Sequence, residues 1–170
     1  RIAYLVRECG ISPYRILSVT FTNKAAREMK DRVERLVRRP MEGWYLGTFH
    51  SIAARVLRKH AELVGLKSNF TILDTDDQLR LLKQGLEAHD IDEKRWPARS
   101  LGAIINRWKD RGLAPDQVTD TEGSDFANGR TLELYHDYQE RLRSLNAADF
   151  GDLLMHNLTL FSNDKGVLRE

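Results

Sequence analysis

Residues 15–21 (RILSVTF) form a short apolar run bounded by Ser12-Pro13 and Thr22-Asn23, the pattern of a buried strand. The period then changes. Ala25, Ala26, Met29, Val33, Leu36 and Val37 recur at spacings of three and four, while Arg27, Lys30, Asp31, Glu34 and Arg35 take the other face until Pro40. This predicts an amphipathic helix capped by Thr22 or Asn23. The grammar repeats: residues 44–48 (WYLGT) predict a second strand, and from about Ser51 a second helix carries Ile52, Ala53, Val56, Leu57, Leu63 and Val64 on one stripe as far as Gly65. Ahead of both units, Ile2, Ala3, Leu5 and Val6 open the chain in a helical pattern.

Two successive strand-to-helix units predict a parallel sheet. Loops leaving the carboxyl ends of parallel strands line the ligand crevice, so residues 20–24 and 47–51 are expected side by side on one rim. Beyond residue 70 the strand signals nearly vanish. After a brief strand at 70–73, helices are predicted from an Asp74 or Thr75 cap to about His89, over 98–111 until Gly112 and Pro115, and over 131–145. Asp149 caps a last helix carrying Leu153, Leu154, Leu158 and Phe161, expected to return to the sheet. An all-helical block within an α/β chain reads as an insertion. The expected division is 1–60 in the α/β lobe, 61–145 in the helical insertion and 146–170 back in the lobe.

Composition narrows the class. With 41% hydrophobic and 31% charged residues and a mean hydropathy of −0.51, the 170 residues describe an ordinary globular chain. Its apolar stretches are too short to cross a bilayer, and no charged-then-apolar leader opens it, so no membrane role is expected. Cys9 is the single cysteine, which excludes an internal disulfide and a cysteine-pair zinc site; a reducing, cytoplasmic home is expected. The start at Arg1, inside a helical pattern, suggests a piece of something longer. A net charge of +2 hides an asymmetry: residues 1–64 carry 13 Lys/Arg against 6 Asp/Glu, and residues 65–170 carry 14 against 19. A basic N-terminal third suits a polyanion such as nucleic acid, with solvated helix faces as the alternative.

Candidate chemistry gathers at the expected rim. Residues 20–24 sit at a strand-to-helix junction, where free N–H groups and the helix dipole attract anions; Thr22, Asn23 and Lys24 add donors, and Phe21 adds a face for an unpaired base. The competing reading makes Phe21 a core residue and Thr22 or Asn23 a plain cap. Residues 47–51 repeat the chemistry with Gly47 for close approach, Thr48, His50 and Ser51 as donors, and Arg55 one turn on. Other sites find less support. His50 and His60 lack ligand spacing, Cys9 has no evident base, and Asp74, Asp76 and Asp77 begin a calcium-loop pattern that fails at Leu79 and Gly85. Asp149 and Asp152 suit helix capping. No G-x-x-x-x-G-K-[ST] loop occurs, and no apolar strand ends in Asp-Glu, so the chain alone should not hydrolyse ATP.

Residues 16–33 (ILSVTFTNKAAREMKDRV) followed by 47–58 (GTFHSIAARVLR) resemble motifs Ia and Ib of the UvrD/Rep/PcrA family of superfamily 1 DNA helicases. Residues 69–83 (NFTILDTDDQLRLLK), 105–115 (INRWKDRGLAP) and 138–154 (YQERLRSLNAADFGDLL) resemble, in order, the segments that follow, so the similarity covers nearly the whole chain. It implies an internal slice between the Walker A and Walker B motifs. The fold would be α/β: a partial RecA-like, P-loop NTPase parallel-sheet lobe (subdomain 1A) with an all-helical insertion (subdomain 1B).

The implied function is that of an ATP-dependent 3′ to 5′ DNA helicase in DNA repair or replication. ATP and Mg2+ would serve the full-length parent and neither would bind this slice; single-stranded DNA, a duplex junction and the second motor lobe are the implied partners. Carried across by position, Phe21, Thr22 and Asn23 match single-strand contacts of motif Ia. Thr48, Phe49 and His50 match motif Ib, with Arg55 as a phosphate contact, and Lys109 matches a basic position of 1B that faces duplex DNA, with a solvated lysine as the alternative. Where the family commonly has DFDDLL this chain has DFGDLL, so Gly151 removes a carboxylate. The rival readings are a helicase-like DNA-binding or scaffold module, the motor part of a helicase-nuclease, and a helical interaction domain without nucleic-acid affinity. A slice lacking the neighbouring strands would leave sheet edges unpaired and prone to self-association.

Overall fold

A computed structural model describes residues 1–119 and 125–167. The chain forms two compact units, one over Arg1–Arg55 and the other from Val56 onward.

The first unit opens with α1 (Ile2–Arg7) and a single 3-10 turn at Pro13–Arg15, which shortens the first predicted strand to β1 (Leu17–Thr20). Thr22 then caps α2 (Asn23–Val37), its Oγ1 accepting the Ala25 N–H at 3.1 Å. The helix stops before Pro40 because Arg38 turns left-handed, at φ 55°, and its N–H closes on the Glu34 carbonyl. Val33 and Val37 bury their side chains with Met41 and Trp44, and Ile2, Ala3, Val6 and Leu46 pack against that cluster. β2 (Tyr45–Thr48) lies parallel to β1, with Leu17 opposite Tyr45 and Thr20 opposite Thr48. It runs straight into α3 (Phe49–Lys59), two residues earlier than Ser51, because Thr48 Oγ1 accepts the Ser51 N–H at 3.2 Å and caps the first turn.

The second unit holds β3 (Thr71–Ile72), α4 (Thr75–Ala88), α5 (Ala98–Asp110), α6 (Thr131–Ser144), β4 (Ala147–Ala148) and α7 (Phe150–Asn163). Leu81, Leu82 and Leu86 of α4 meet Leu101, Ile105 and Trp108 of α5 and Leu134, Tyr135 and Leu142 of α6 in one core. Asp74 caps α4. Asp149 and Asp152 cap α7 reciprocally, each side chain accepting the other's backbone N–H, at 2.9 and 3.2 Å. The segment expected to rejoin the α/β lobe packs inside this unit: β4 pairs in parallel with β3, and α7 lies against α5. Residues 168–170 of that segment lie outside the described residues.

Lys109 departs furthest from expectation. Instead of facing duplex DNA it is 1% exposed, with Nζ 2.7 Å from Asp149 Oδ2 and 2.8 Å from Asp152 Oδ1. Tyr138 and Gln78 donate to the same Asp149 oxygen at 2.9 and 3.2 Å, and Gln139 donates to Asp152 Oδ1 at 3.2 Å. The cluster therefore ties α4, α5 and α6 to the start of α7. Gly151 makes room for it, since a Cβ there would stand 2.9 Å from Lys109 Cδ and 3.0 Å from Lys109 Cβ. Burial and the neighbouring Asp152 charge push the Asp149 carboxyl up. Burial acts the same way on Asp152, but the charge and hydrogen bond of Lys109 outweigh it and bring that carboxyl down. Burial also holds His156 below the ordinary histidine value.

Two outcomes follow. Lys109→Met keeps the volume but strands two buried carboxylates, and should lower unfolding stability in urea by about 3–5 kcal/mol. His156 stays neutral in the folded chain where the unfolded chain takes up a proton, so the unfolded state binds more protons and its contribution to stability is lost as pH falls below about 6.5. The urea midpoint of His156→Gln should accordingly fall less than that of the parent chain between neutral pH and pH 5.

Candidate nucleic-acid interface

Parallel strands deliver their chains to the same edge, and the register sets which residues emerge there together. With Thr20 opposite Thr48, the next residues are Phe21 and Phe49. Their ring centroids lie 5.2 Å apart at an interplanar angle of 42°. Phe21 is 87% exposed and Phe49 41%, so neither belongs to the core of this unit. The core reading of Phe21 thereby falls. Two adjoining aromatic rings at a polar rim form an apolar face on which an unpaired base can stack.

The polar residues divide by what already holds them. The Thr22 hydroxyl is the α2 cap, as the plain reading had it. Asn23 and Lys24, exposed in the first turn of α2, have no side-chain partner among the described residues. Neither α2 nor α3 carries an acidic residue in its first turn, so neither helix offsets its own positive end. Thr48 is only 7% exposed, and its Oγ1 holds the Ser51 amide. Ser51 Oγ in turn donates to the Thr48 carbonyl at 2.9 Å. That folded-back serine explains Gly47: a Cβ there would stand 2.5 Å from Ser51 Oγ. His50 is exposed on the first turn of α3.

Arg55, expected to meet a phosphate, is engaged by the chain itself. Its Nη1 donates to the Trp44 carbonyl at 2.8 Å and its Nη2 to the Gly43 carbonyl at 2.6 Å, and the guanidinium carbon lies 4.3 Å above the Tyr45 ring. Spacing along one chain carries no signal for this clamp, because its acceptors are backbone oxygens placed by the turn into β2.

Among the described residues no group of three or more His, Cys, Asp or Glu can hold a metal ion. Asp149 and Asp152 do not fit magnesium, because the Lys109 ammonium already stands between them. No phosphate-cradling G-x-x-x-x-G-K-[ST] loop is present in the sequence. Among the described residues no helix is long and apolar enough to cross a membrane.

Comparison with known proteins finds the UvrD/REP helicase N-terminal domain matched over residues 1–170. The chain is 44% identical to a probable DNA helicase II homolog of Rickettsia felis, across 99% of this chain and 26% of that protein. It is 42% identical to the ATP-dependent DNA helicase PcrA of Staphylococcus epidermidis, across 95% of this chain and 22% of that protein. With PcrA of Staphylococcus aureus the identity is 41%, across 99% of this chain and 23% of that protein. The chain thus spans about a quarter of the length of these relatives.

The rim geometry predicts a specific rescue. Gly47→Ala drives a methyl group into Ser51 Oγ and should destabilise the first unit by about 1–3 kcal/mol. Adding Ser51→Ala removes the obstructing oxygen, and the double variant should recover most of that loss in urea unfolding.

Proposed function

The chain belongs to the family of the UvrD/REP helicase N-terminal domain, and from that premise we propose that it is the strand-gripping part of an ATP-dependent 3′ to 5′ DNA helicase. The exposed Phe21–Phe49 pair carries the reading, because an aromatic face at a basic rim suits single-stranded DNA. Phe21 and Phe49 stack on bases; Asn23, Lys24 and His50 meet the backbone beside them; Thr22 and Thr48 act by fixing the two helix starts. The first unit is then a portion of a RecA-like motor lobe, and α4–α6 the helical insertion. The second motor lobe and the duplex junction are partners of the parent protein.

In that parent, ATP with Mg2+ supplies the energy that advances the strand. The part assigned to this chain is to bind and orient DNA, with ATP hydrolysis belonging to the whole protein. A small number of phosphate contacts gives weak affinity with a steep salt dependence.

Titration of the chain into a fluorescently labelled oligothymidylate, followed by anisotropy across a series of salt concentrations, tests this. Binding should appear at low salt and fall linearly on logarithmic axes, and Phe21→Ala should weaken it by about 1–3 kcal/mol. No binding at low salt would favour a scaffold or interaction domain and end the reading.

A further inference from the structure

We infer that Arg55 is a positioning residue for the single-strand groove: its guanidinium braces the entry to β2 against α3 and so sets the turn at residues 47–51, and it makes no phosphate contact. The inference deepens the proposed single-strand binding and rests on it. Three consecutive residues are held at once. The Gly43 and Trp44 carbonyls accept from the two arms of the fork at 2.6 and 2.8 Å, and the Tyr45 ring lies 4.3 Å beneath the guanidinium carbon. These residues lead into one end of β2, and Arg55 stands six positions beyond Phe49 on the helix that leaves the other end. The clamp therefore closes a corner made of one strand and nearly two turns of helix, with Phe49 and His50 at its apex.

The far side of the corner is fixed too. Gly43 turns the chain at φ 84°, and the Tyr14 ring packs 3.2 Å from where a Cβ would stand, so the carbonyl at 43 has little room to swing away from the fork. At the apex, the reciprocal Thr48–Ser51 bonds and the bare Gly47 hold the turn tightly folded. A shift of β2 along α3 would separate Phe49 from Phe21, whose contact depends on Thr20 staying opposite Thr48. Two carbonyls and a ring face call for a planar fork, which an ammonium does not provide.

The test compares Arg55→Lys and Arg55→Gln in the full chain, with the same oligothymidylate at several salt concentrations. A clamp requires both variants to weaken binding about ten-fold, alike, with the slope of log affinity against log salt unchanged. If Arg55→Lys binds as the parent does while Arg55→Gln lowers the slope by about 0.7, Arg55 is a phosphate contact and the inference is overturned. It is equally overturned if neither variant changes affinity. Tyr45→Leu, which removes the ring and leaves the hydrogen bonds, guards against a variant that fails to fold; about a three-fold loss at constant slope is expected, and no loss counts against the clamp. Hydrogen exchange at the Ser51 amide reads the turn without DNA. Arg55→Lys should accelerate it about ten-fold, and unchanged exchange refutes the clamp even if the parent chain binds no DNA. Absence of DNA binding by the parent chain would instead sink the functional reading.

Discussion

Two four-residue strands lie side by side with Thr20 opposite Thr48, and because they run parallel, both chains reach the same edge before turning into helices. An antiparallel pair would send the two turns to opposite ends. A slip of one residue would turn each side chain to the other face. Everything proposed for the rim follows from that register: Phe21 and Phe49 meet because each is the first residue beyond its strand. Threonine hydroxyls at the two helix starts then turn inward as caps, which leaves the aromatic rings as the outward feature.

Arg55 and Lys109 make a common point about cations in this fold. The family resemblance implies a phosphate contact for Arg55 and a duplex-facing position for Lys109, and both are engaged within the fold. Arg55 is held by backbone carbonyls and a ring, Lys109 by two carboxylates beneath the surface. The Lys109 cluster has a conformational role: α4, α5 and α6 each send a side chain to the start of α7, so one ammonium sets where four helices meet. Such a buried pair stabilises little against a well-packed apolar alternative, yet removing one partner is expensive because the other is stranded. The glycine at 151, which looked like a missing carboxylate, is the space the lysine stem occupies.

Elements with a strong local period were legible. The α2 stripe from Ala25 to Val37, the Thr22 and Asp74 caps and the Asp149–Asp152 capping box all depend on residues within four positions of one another. Features made by distant partners were not. β4 is only Ala147–Ala148, two residues with no strand preference, and it exists because Thr71–Ile72 offer a parallel partner. The helix after Asp149 was foreseen, but its place was not, because an apolar stripe does not say which core it enters. At the rim the sequence indicated which turns would adjoin and left open whether Phe21 would be buried; a strand ending at Thr20 puts Phe21 beyond the sheet, 87% exposed. The clamp on Gly43 and Trp44 had no signature, since backbone oxygens are present everywhere in a sequence.

Photochemical cross-linking of the chain to a single-stranded oligonucleotide carrying 5-iododeoxyuridine, with adducts located by mass spectrometry, tests the central claim most directly. A base stacked on the paired rings should give adducts at Phe21 and Phe49, suppressed by excess unlabelled single strand. Adducts confined to aromatic residues of the second unit, such as Trp96, would contradict a groove built on the two parallel turns.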